Sequence, residues 1–240
     1  MPDRAAIVTG ASSGIGLAIA HALGEEGHAL TVAARRPEKL EAAADELRAR
    51  GFDVEAVAAN VTEEADVQRI VARHRDRFRR LDVLVNSAGI GVGAPVGDLQ
   101  TPRVDMQLDV NLRAPILFYR ECADLLRAAG AEHRNALVVN LSSISGKSGQ
   151  AWLSVYSATK AALIGFTQAM NRELNGDGVK SVALAPGFVD TPMTDFIKEA
   201  VPPEEMLRTS DVAEAVRFLL RTSPACVIPE IVFQRARELG

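Results

Sequence analysis

Cysteine is scarce in this sequence, with Cys122 and Cys226 the only two among 240 residues. They form no Cys-x-x-Cys pair and no cluster with histidine, so neither a disulfide framework nor a zinc site is indicated. We therefore expect two free thiols in a reducing compartment and no metal site.

The sequence also lacks a large excess of charge of one sign and any long apolar run. Its formal net charge of -4 gives no broad attraction to nucleic acid or to an anionic membrane surface. No apolar stretch approaches the length that spans a bilayer, and the N-terminus has no signal-peptide pattern. These absences favour a cytoplasmic protein with neither a nucleic-acid nor a membrane partner.

Strand and helix signals alternate along the whole chain, with no repeat and no linker long enough to separate two folding units. The apolar runs are continuous, as in strands that are buried on both faces. The pattern predicts a single α/β domain over residues 1–240, a doubly wound Rossmann-type parallel sheet flanked by helices. Strands are predicted at 5–9, 29–33, 54–58, 83–85, 137–141, 179–184 and 227–233; helices are predicted from about 14, at 37–50, 63–78 and 102–129, around Tyr156, and after a cap at Thr209 or Ser210.

A glycine-rich turn, Gly10-x-x-x-Gly14-x-Gly16, separates the first strand from the first helix. Glycines let the backbone approach a pyrophosphate, and a helix N-terminus offers amides and a positive dipole end. The position at the first strand-to-helix junction favours a dinucleotide site over an ordinary turn. The irregular connections at 89–97 and 186–203 leave from strand ends where ligands bind in such sheets, and we expect them to be either pocket walls or plain surface loops.

Two arginines, Arg35 and Arg36, follow the second predicted strand. An acidic residue at this point would bind the ribose hydroxyls of NAD, whereas guanidinium groups bind a 2′-phosphate. The pair therefore favours NADP over NAD, with two solvated charges before the next helix as the alternative.

A Tyr-x-x-x-Lys spacing joins Tyr156 to Lys160, with Ser143 upstream. On a helix the phenol and the ammonium would project from one face about a turn apart. A fixed cation favours the phenolate and lowers a tyrosine pKa, so the pair is a candidate proton donor. The spacing alone is weak evidence, because most such matches are structural.

In combination these motifs resemble the short-chain dehydrogenase/reductase family of single-domain NAD(P)-dependent oxidoreductases, over nearly the whole chain. The resemblance is carried, in order, by Thr9-Gly-Ala-Ser-Ser-Gly-Ile-Gly16, Asn60-Val61, Asn86-Ser-Ala-Gly89, Asn111, Ser142-Ser143, Tyr156-x-x-x-Lys160 and Pro186-Gly187. It implies hydride transfer between NADP(H) and a small-molecule carbonyl or secondary alcohol, as in a carbonyl reductase. The alternatives are a 3-oxoacyl thioester reductase and a non-catalytic protein that senses a dinucleotide.

The same resemblance implies four catalytic residues. Tyr156 would give a proton to the carbonyl oxygen while the nicotinamide hydride reaches the carbonyl carbon. Ser143 would hydrogen-bond that oxygen, with Ser142 as the competing serine. Lys160 would lower the Tyr156 pKa and hold the nicotinamide ribose, and the main chain of Asn111 would hold a water that leads to Lys160.

The place of Asn111 can also be read from the residues. Pro115 lies four positions later in a helical pattern and has no N–H for the Asn111 carbonyl, so the helix should bend and free that carbonyl. The alternative is that Asn111 caps a second helical segment.

The resemblance also implies a set of cofactor-binding residues, among which Thr191 would contact the nicotinamide carboxamide. Two positions depart from the family pattern: Asn60 stands where aspartate is common beside the adenine, and Ser87 replaces a second asparagine. The full set is Gly10, Ser12, Ser13, Gly14, Ile15, Gly16, Arg35, Arg36, Asn60, Val61, Asn86, Ala88, Gly89, Tyr156, Lys160, Pro186, Gly187, Val189 and Thr191.

Four large apolar residues, Trp152, Phe188, Met193 and Phe196, are candidates for an apolar substrate pocket, with packing or interface roles as the alternative. Lys147 is expected to be a solvated loop lysine rather than an anchor for an anionic substrate. The four histidines are expected at the surface. Relatives of this kind are usually homotetramers or homodimers, with the helices around Asn111 and Tyr156 in one interface.

Overall fold

The computed structural model describes residues 2–236, and in this part of the chain seven parallel strands form one sheet in the order β3-β2-β1-β4-β5-β6-β7. The order reverses between β1 and β4, which makes the sheet doubly wound. The strands are β1 (Ala5–Thr9), β2 (Ala29–Ala34), β3 (Val54–Ala58), β4 (Val83–Asn86), β5 (Ala136–Leu141), β6 (Val179–Pro186) and β7 (Glu230–Phe233). The predicted fold class is confirmed.

Helices cover both faces of the sheet. They are α1 (Gly14–Glu25), α2 (Pro37–Ala49), α3 (Glu64–Phe78), α4 (Thr101–Leu108), α5 (Ala114–His133), α6 (Ser154–Leu174) and α7 (Thr209–Leu220), and a π-helical turn, Asp109–Arg113, joins α4 to α5. One apolar layer contains residues of α1, α2 and α7, and the other contains residues of α3, α5 and α6. The strands β1 to β6 are mostly buried because each contributes side chains to both layers, which explains their continuous apolar runs. The edge strand β7 is only partly buried and packs against the first layer.

Most predicted boundaries agree with the structure within a residue or two, but the predicted cap of α7 was wrong. The cap is Arg208, whose amide donates to the Asp211 carboxylate at 2.8 Å, and Thr209 is the first helical residue. The single helix predicted over 102–129 is divided by the π-turn. The closing strand is shorter than predicted and begins at Glu230.

Two histidines lie in the interior, contrary to the expectation of surface positions. His74 is fully buried because both ring nitrogens have partners, the Thr31 hydroxyl at 2.8 Å and the Arg80 carbonyl at 2.7 Å. Burial lowers its pKa to about 4. His28 is also buried, and burial again lowers its pKa.

Within residues 2–236, no helix combines the length and apolarity needed to cross a bilayer. In the same range, histidine, cysteine and carboxylate side chains form no group that could hold a metal ion. Cys122 is buried and Cys226 is half-buried, and both are free thiols.

Candidate active site

The carboxyl ends of β1, β4, β5 and β6 meet at one edge of the sheet and bring the sequence motifs together. The Thr9 hydroxyl at the end of β1 accepts hydrogen bonds from the amides of Ser87 and Ala88, both at 3.1 Å. At the ends of β5 and β6, the Ser143 hydroxyl lies 3.5 Å from the Pro186 carbonyl. These contacts fix the loops after four strands relative to one another.

The glycine turn fits tightly against the loop after β4. Gly10 has φ +67, and a Cβ placed on it would lie 2.8 Å from the Ala88 amide nitrogen. A Cβ on Gly16 would lie 2.5 Å from the Gly10 carbonyl oxygen. Only glycine fits both positions, and the turn leads directly into α1, whose first amides face the same edge. This cradle fits the pyrophosphate of a dinucleotide.

The other predicted cofactor residues surround this cradle. Arg35 and Arg36 directly follow β2 and are exposed, and Arg36 caps α2. Gly14 is close to Thr191, since a Cβ on Gly14 would lie 3.2 Å from the Thr191 side chain. Ser12 and Ser13 in the turn and Ile15 at the start of α1 are half-buried, and Val61 is buried. Pro186 ends β6, and Gly187 and Val189 lie in the segment after it.

Asn60 is engaged in its own loop. Its side-chain oxygen accepts a hydrogen bond from the Thr62 backbone amide at 3.4 Å, and its backbone amide donates to the Asp66 carboxylate at 2.7 Å. Its side-chain amide group remains a donor that suits an adenine nitrogen.

The structure distinguishes the two candidate serines. The Ser142 hydroxyl donates to the Lys160 carbonyl at 2.9 Å and so holds α6. The Ser143 hydroxyl accepts from the Ser145 amide at 3.1 Å and interacts with the Tyr156 phenol. Ser143 is therefore the serine that shares its surroundings with Tyr156.

Lys160 and Tyr156 adjoin each other on α6, but their arrangement differs from the expectation. The ammonium of Lys160 is buried, donates to the Leu141 carbonyl at 2.7 Å, and lies 5.6 Å from the centre of the Tyr156 ring. Burial lowers the Lys160 pKa to about 8. Burial raises the Tyr156 pKa, an effect that the hydrogen bond with Ser143 opposes. The expected lowering of the Tyr156 pKa by Lys160 is not found, because the ammonium is directed at Leu141 and the ring face rather than at the phenol oxygen.

Asn111 lies inside the π-turn, where the Ala114 amide donates to the Asp109 carbonyl, five residues back. Pro115 has no amide hydrogen, so the Asn111 carbonyl loses its usual helical donor. The predicted distortion is thus confirmed as a π-turn, and Asn111 does not cap a new helix.

The side chain of Asn111 holds the loop that follows β4. Its oxygen accepts from the Ile90 amide at 2.9 Å, and its nitrogen donates to the Ile90 carbonyl at 2.8 Å and to the Thr159 hydroxyl at 3.2 Å. Gly89 lies between Asn111 and Lys160, since a Cβ there would be 3.5 Å from the Asn111 oxygen and 3.4 Å from the Lys160 ammonium. The residues predicted to form a proton path are therefore neighbours.

A buried polar network, which sequence analysis missed, underlies the site. The Asn86 side chain donates to that of Asn140 at 2.8 Å, and Asn140 donates to the Tyr119 hydroxyl at 3.1 Å and the Thr167 hydroxyl at 2.9 Å. Tyr119 in turn donates to the Ser181 hydroxyl at 2.9 Å. The network joins β4, β5 and β6 to α5 and α6. Polar residues within apolar strand patterns were the signal that could have revealed it.

Three segments border Tyr156 and the strand ends, and we call 90–97, 147–153 and 190–206 the mouth segments. A Cβ on Gly91 would lie 3.5 Å from the Tyr156 ring, and the Ala94 amide donates to the Trp152 carbonyl at 2.8 Å. The third segment leaves and returns at one point, where Val189 and Leu207 form a parallel bridge. Trp152, Met193 and Phe196 are exposed, whereas Phe188 is half-buried under the Arg235 guanidinium.

Lys147 is exposed, as expected, and it also has an ionic partner. Its ammonium bonds the Glu230 carboxylate at the start of β7 at 2.8 Å. The ion pair connects the segment after Ser143 to the edge strand β7. The charge of Lys147 is therefore balanced by Glu230 rather than available to an anionic substrate.

Comparison with known proteins gives one consistent result. A family model described as short chain dehydrogenase matches residues 4–202. The chain is 34% identical over 227 residues to an uncharacterized oxidoreductase of Staphylococcus aureus, covering 95% of this chain and 94% of that protein.

Solved structures of the same fold cover nearly the whole chain. An alcohol dehydrogenase from the archaeon Thermococcus sibiricus, complexed with 5-hydroxy-NADP, matches with a TM-score of 0.87 and 29% identity over 97% of each chain. A 3-ketoacyl-(acyl-carrier-protein) reductase from Brucella melitensis, complexed with NADH, matches with a TM-score of 0.86 and 28% identity, covering 97% of this chain and 96% of that chain.

Proposed function

Since the chain belongs to the short-chain dehydrogenase/reductase family of oxidoreductases, we propose that it is an NADP-dependent carbonyl reductase that also oxidises secondary alcohols in the reverse direction. The observation that carries the proposal is the convergence of Ser143, Tyr156 and Lys160 beside the glycine cradle. A protein that only senses a dinucleotide has no need of a proton donor at this place.

The proposed mechanism uses the side chains that border Tyr156. When bound, the reduced cofactor supplies the hydride for the carbonyl carbon. Tyr156 donates its phenolic proton to the carbonyl oxygen, and the Ser143 hydroxyl hydrogen-bonds that oxygen as negative charge develops. Loss of such a donor lowers turnover by about a hundredfold or more. In the oxidation direction the deprotonated Tyr156 accepts the proton of the alcohol.

After each reduction, Tyr156 regains its proton by a path that passes through Lys160. Its ammonium, with a pKa of about 8, exchanges protons readily near neutral pH. The Asn111 carbonyl, which has no helical donor at Pro115, accepts a hydrogen bond from a water on the way to solvent.

The test of this chemistry is NADPH oxidation with a panel of ketones, aldehydes and 3-oxo esters. Tyr156→Phe should abolish turnover and keep NADPH affinity within a few fold. Tyr119→Phe is the matched control, because Tyr119 is the other tyrosine of the chain and lies in the structural network. Unchanged turnover in Tyr156→Phe would refute the mechanism, and NADPH binding without turnover of any compound would favour the sensing protein.

The cofactor preference rests on Arg35 and Arg36. Both are exposed immediately after β2, where no carboxylate is present to repel a 2′-phosphate. The two solved relatives are complexed with different cofactors, 5-hydroxy-NADP and NADH, so family membership alone specifies neither, and the proposal is based on this position. Replacing both arginines by alanine should raise the KM for NADPH about tenfold or more and leave that for NADH nearly unchanged. An equal effect on both cofactors would count against the assignment.

A 3-oxoacyl thioester reductase is the second candidate, favoured by the similarity to the 3-ketoacyl-(acyl-carrier-protein) reductase. Assays with carrier-bound and CoA-bound 3-oxoacyl substrates separate it from a reductase of free ketones. Turnover confined to the thioesters would establish the second candidate and exclude the first.

We also propose that the protein is a homodimer or homotetramer. Exposed apolar side chains on the helices near Asn111, namely Met106, Leu108 and Ile116, support an interface there. Light scattering of the purified protein tests this, and a monomer at micromolar concentration would contradict it.

A further inference from the structure

Large apolar side chains stand exposed around the mouth of the site. The exposed fraction is 82% for Val96, 72% for Trp152, 75% for Phe196 and 51% for Met193, and all four belong to the mouth segments. Exposed large apolar side chains on segments that border the catalytic tyrosine are typical of a binding surface.

Trp152 is held in this exposed position by its backbone. Its φ of 63 lies in the left-handed region, which costs a residue with a side chain about 1–2 kcal/mol. The conformation is maintained because the Trp152 carbonyl accepts the Ala94 amide, and Gly93 allows the close approach, since a Cβ there would make a tight contact of 3.2 Å with that carbonyl. This hydrogen bond holds the Trp152 backbone beside the segment 90–97, four residues before Tyr156.

The charges of the mouth segments disfavour an anionic substrate. Their basic residues are Lys147, which is paired with Glu230, and Lys198, which is paired with Asp190 at 2.9 Å and Asp195 at 2.8 Å. The segments carry five carboxylates against these two lysines: Asp190, Asp195, Glu199, Glu204 and Glu205.

Two arginines flank the third segment, and both have interactions of their own. Arg208 lies 3.7 Å from Asp211, and Arg235 lies over the Phe188 ring at 5.4 Å. A carrier that bears phosphate groups would therefore approach a net negative, apolar rim.

From the exposed apolar side chains and the net negative charge of the mouth segments, we infer that the substrate is an uncharged ketone that carries an aromatic group. Trp152 selects this substrate by stacking on the aromatic group. The inference rests on the proposed carbonyl reduction and narrows its substrate class. The apolar rim binds the aromatic group, and the carbonyl lies over Tyr156 and Ser143.

Fluorescence tests the binding directly, because Trp152 is the only tryptophan of the chain. Three 3-oxo compounds are titrated into the protein with NADP+: ethyl benzoylacetate (aromatic, uncharged), ethyl acetoacetate (aliphatic, uncharged) and acetoacetyl-CoA (aliphatic, anionic). Ethyl benzoylacetate should change the indole emission at a concentration about tenfold lower than the other two. Equal or tighter binding of acetoacetyl-CoA would overturn the inference.

Kinetics test the role of Trp152. Trp152→Ala should lower the ratio of kcat/KM for ethyl benzoylacetate to that for ethyl acetoacetate about tenfold, mainly through KM, and Trp152→Phe should restore most of it. Phe218→Ala is the control, because Phe218 is an exposed aromatic residue on α7, outside the mouth segments. An unchanged ratio in Trp152→Ala would refute the selection.

The two experiments separate this inference from the proposed function. Tight binding of ethyl benzoylacetate with no turnover of any compound would uphold the aromatic binding surface at Trp152 and refute the reductase. Turnover without an aromatic preference would uphold the reductase and refute the substrate class.

Discussion

Replacing Lys160 by methionine should stabilise the fold and stop the reaction. The Lys160 ammonium is buried, and burial moves its pKa from 10.5 to about 8. A shift of that size corresponds to about 3 kcal/mol of destabilisation of the folded state whenever the lysine is charged. Methionine removes this penalty, but it leaves the Leu141 carbonyl without its donor, which costs about 2 kcal/mol. The net expectation near pH 7 is a gain of about 1 kcal/mol in the free energy of unfolding.

The sign of the effect depends on pH in a definite way. Below pH 8 the lysine is charged in both the folded and unfolded states, so the full penalty applies. Between pH 8 and 10.5 the folded protein releases the proton first, and the wild type gains stability as pH rises. The advantage of Lys160→Met should therefore shrink across this window and become a disadvantage of about 2 kcal/mol at its upper end.

Urea unfolding at several pH values measures the difference, and NADPH oxidation measures the activity. Lys180→Met is the matched control, since Lys180 also has little exposed surface, bonds the Ser223 carbonyl at 2.7 Å and has its pKa lowered by burial, with an ammonium that lies closer to solvent. It should retain turnover, whereas Lys160→Met should lose it. A stability difference between Lys160→Met and wild type that does not change from pH 8 to 10.5 would refute the reasoning.

Three further outcomes are expected. Gly10→Ala should abolish NADPH binding and lower the free energy of unfolding by more than about 3 kcal/mol, whereas Gly27→Ala, at φ +84 in open space, should cost only about 1 kcal/mol by urea unfolding. Tyr119→Phe should lower the free energy of unfolding by about 1–2 kcal/mol, because a donor to Ser181 is lost, and should leave kcat within about threefold. His74 should make stability fall by about 3 kcal/mol as pH drops from 6.5 to about 4, because the unfolded chain binds the proton first, and His74→Gln should lack this slope.

The fold could be predicted from the sequence because its local and global signals agree. The continuous apolar runs, the glycine turn at Gly10 and the alternation of strands and helices all require a buried parallel sheet. The distortion near Asn111 was also predictable, since a proline lacks an amide hydrogen in every structure. Such features follow from one residue and its immediate neighbours.

Features that depend on three-dimensional pairing could not be predicted. The burial of His74 depends on Thr31, 43 residues away, and the division of roles between Ser142 and Ser143 depends on which one meets the Lys160 carbonyl. The Tyr156 pKa depends on the direction of the Lys160 ammonium, which the spacing of the two residues does not specify. A sequence pattern does not specify which side chains meet when the residues are far apart along the chain, or in which direction each side chain points.

The bridge between Val189 and Leu207 makes most of the segment 190–206 exchangeable. Leu207 donates its amide to the Phe188 carbonyl and accepts the Asp190 amide, both at 2.9 Å, so the segment starts and ends at neighbouring positions whatever its contents. Doubling the length of a loop whose ends are held together in this way raises the free energy of loop closure by only about 0.6 kcal/mol. Inserts from other chains can therefore be grafted between Thr191, which contacts Gly14, and Leu207 to alter substrate choice while the sheet, the glycine cradle and Tyr156 stay as they are.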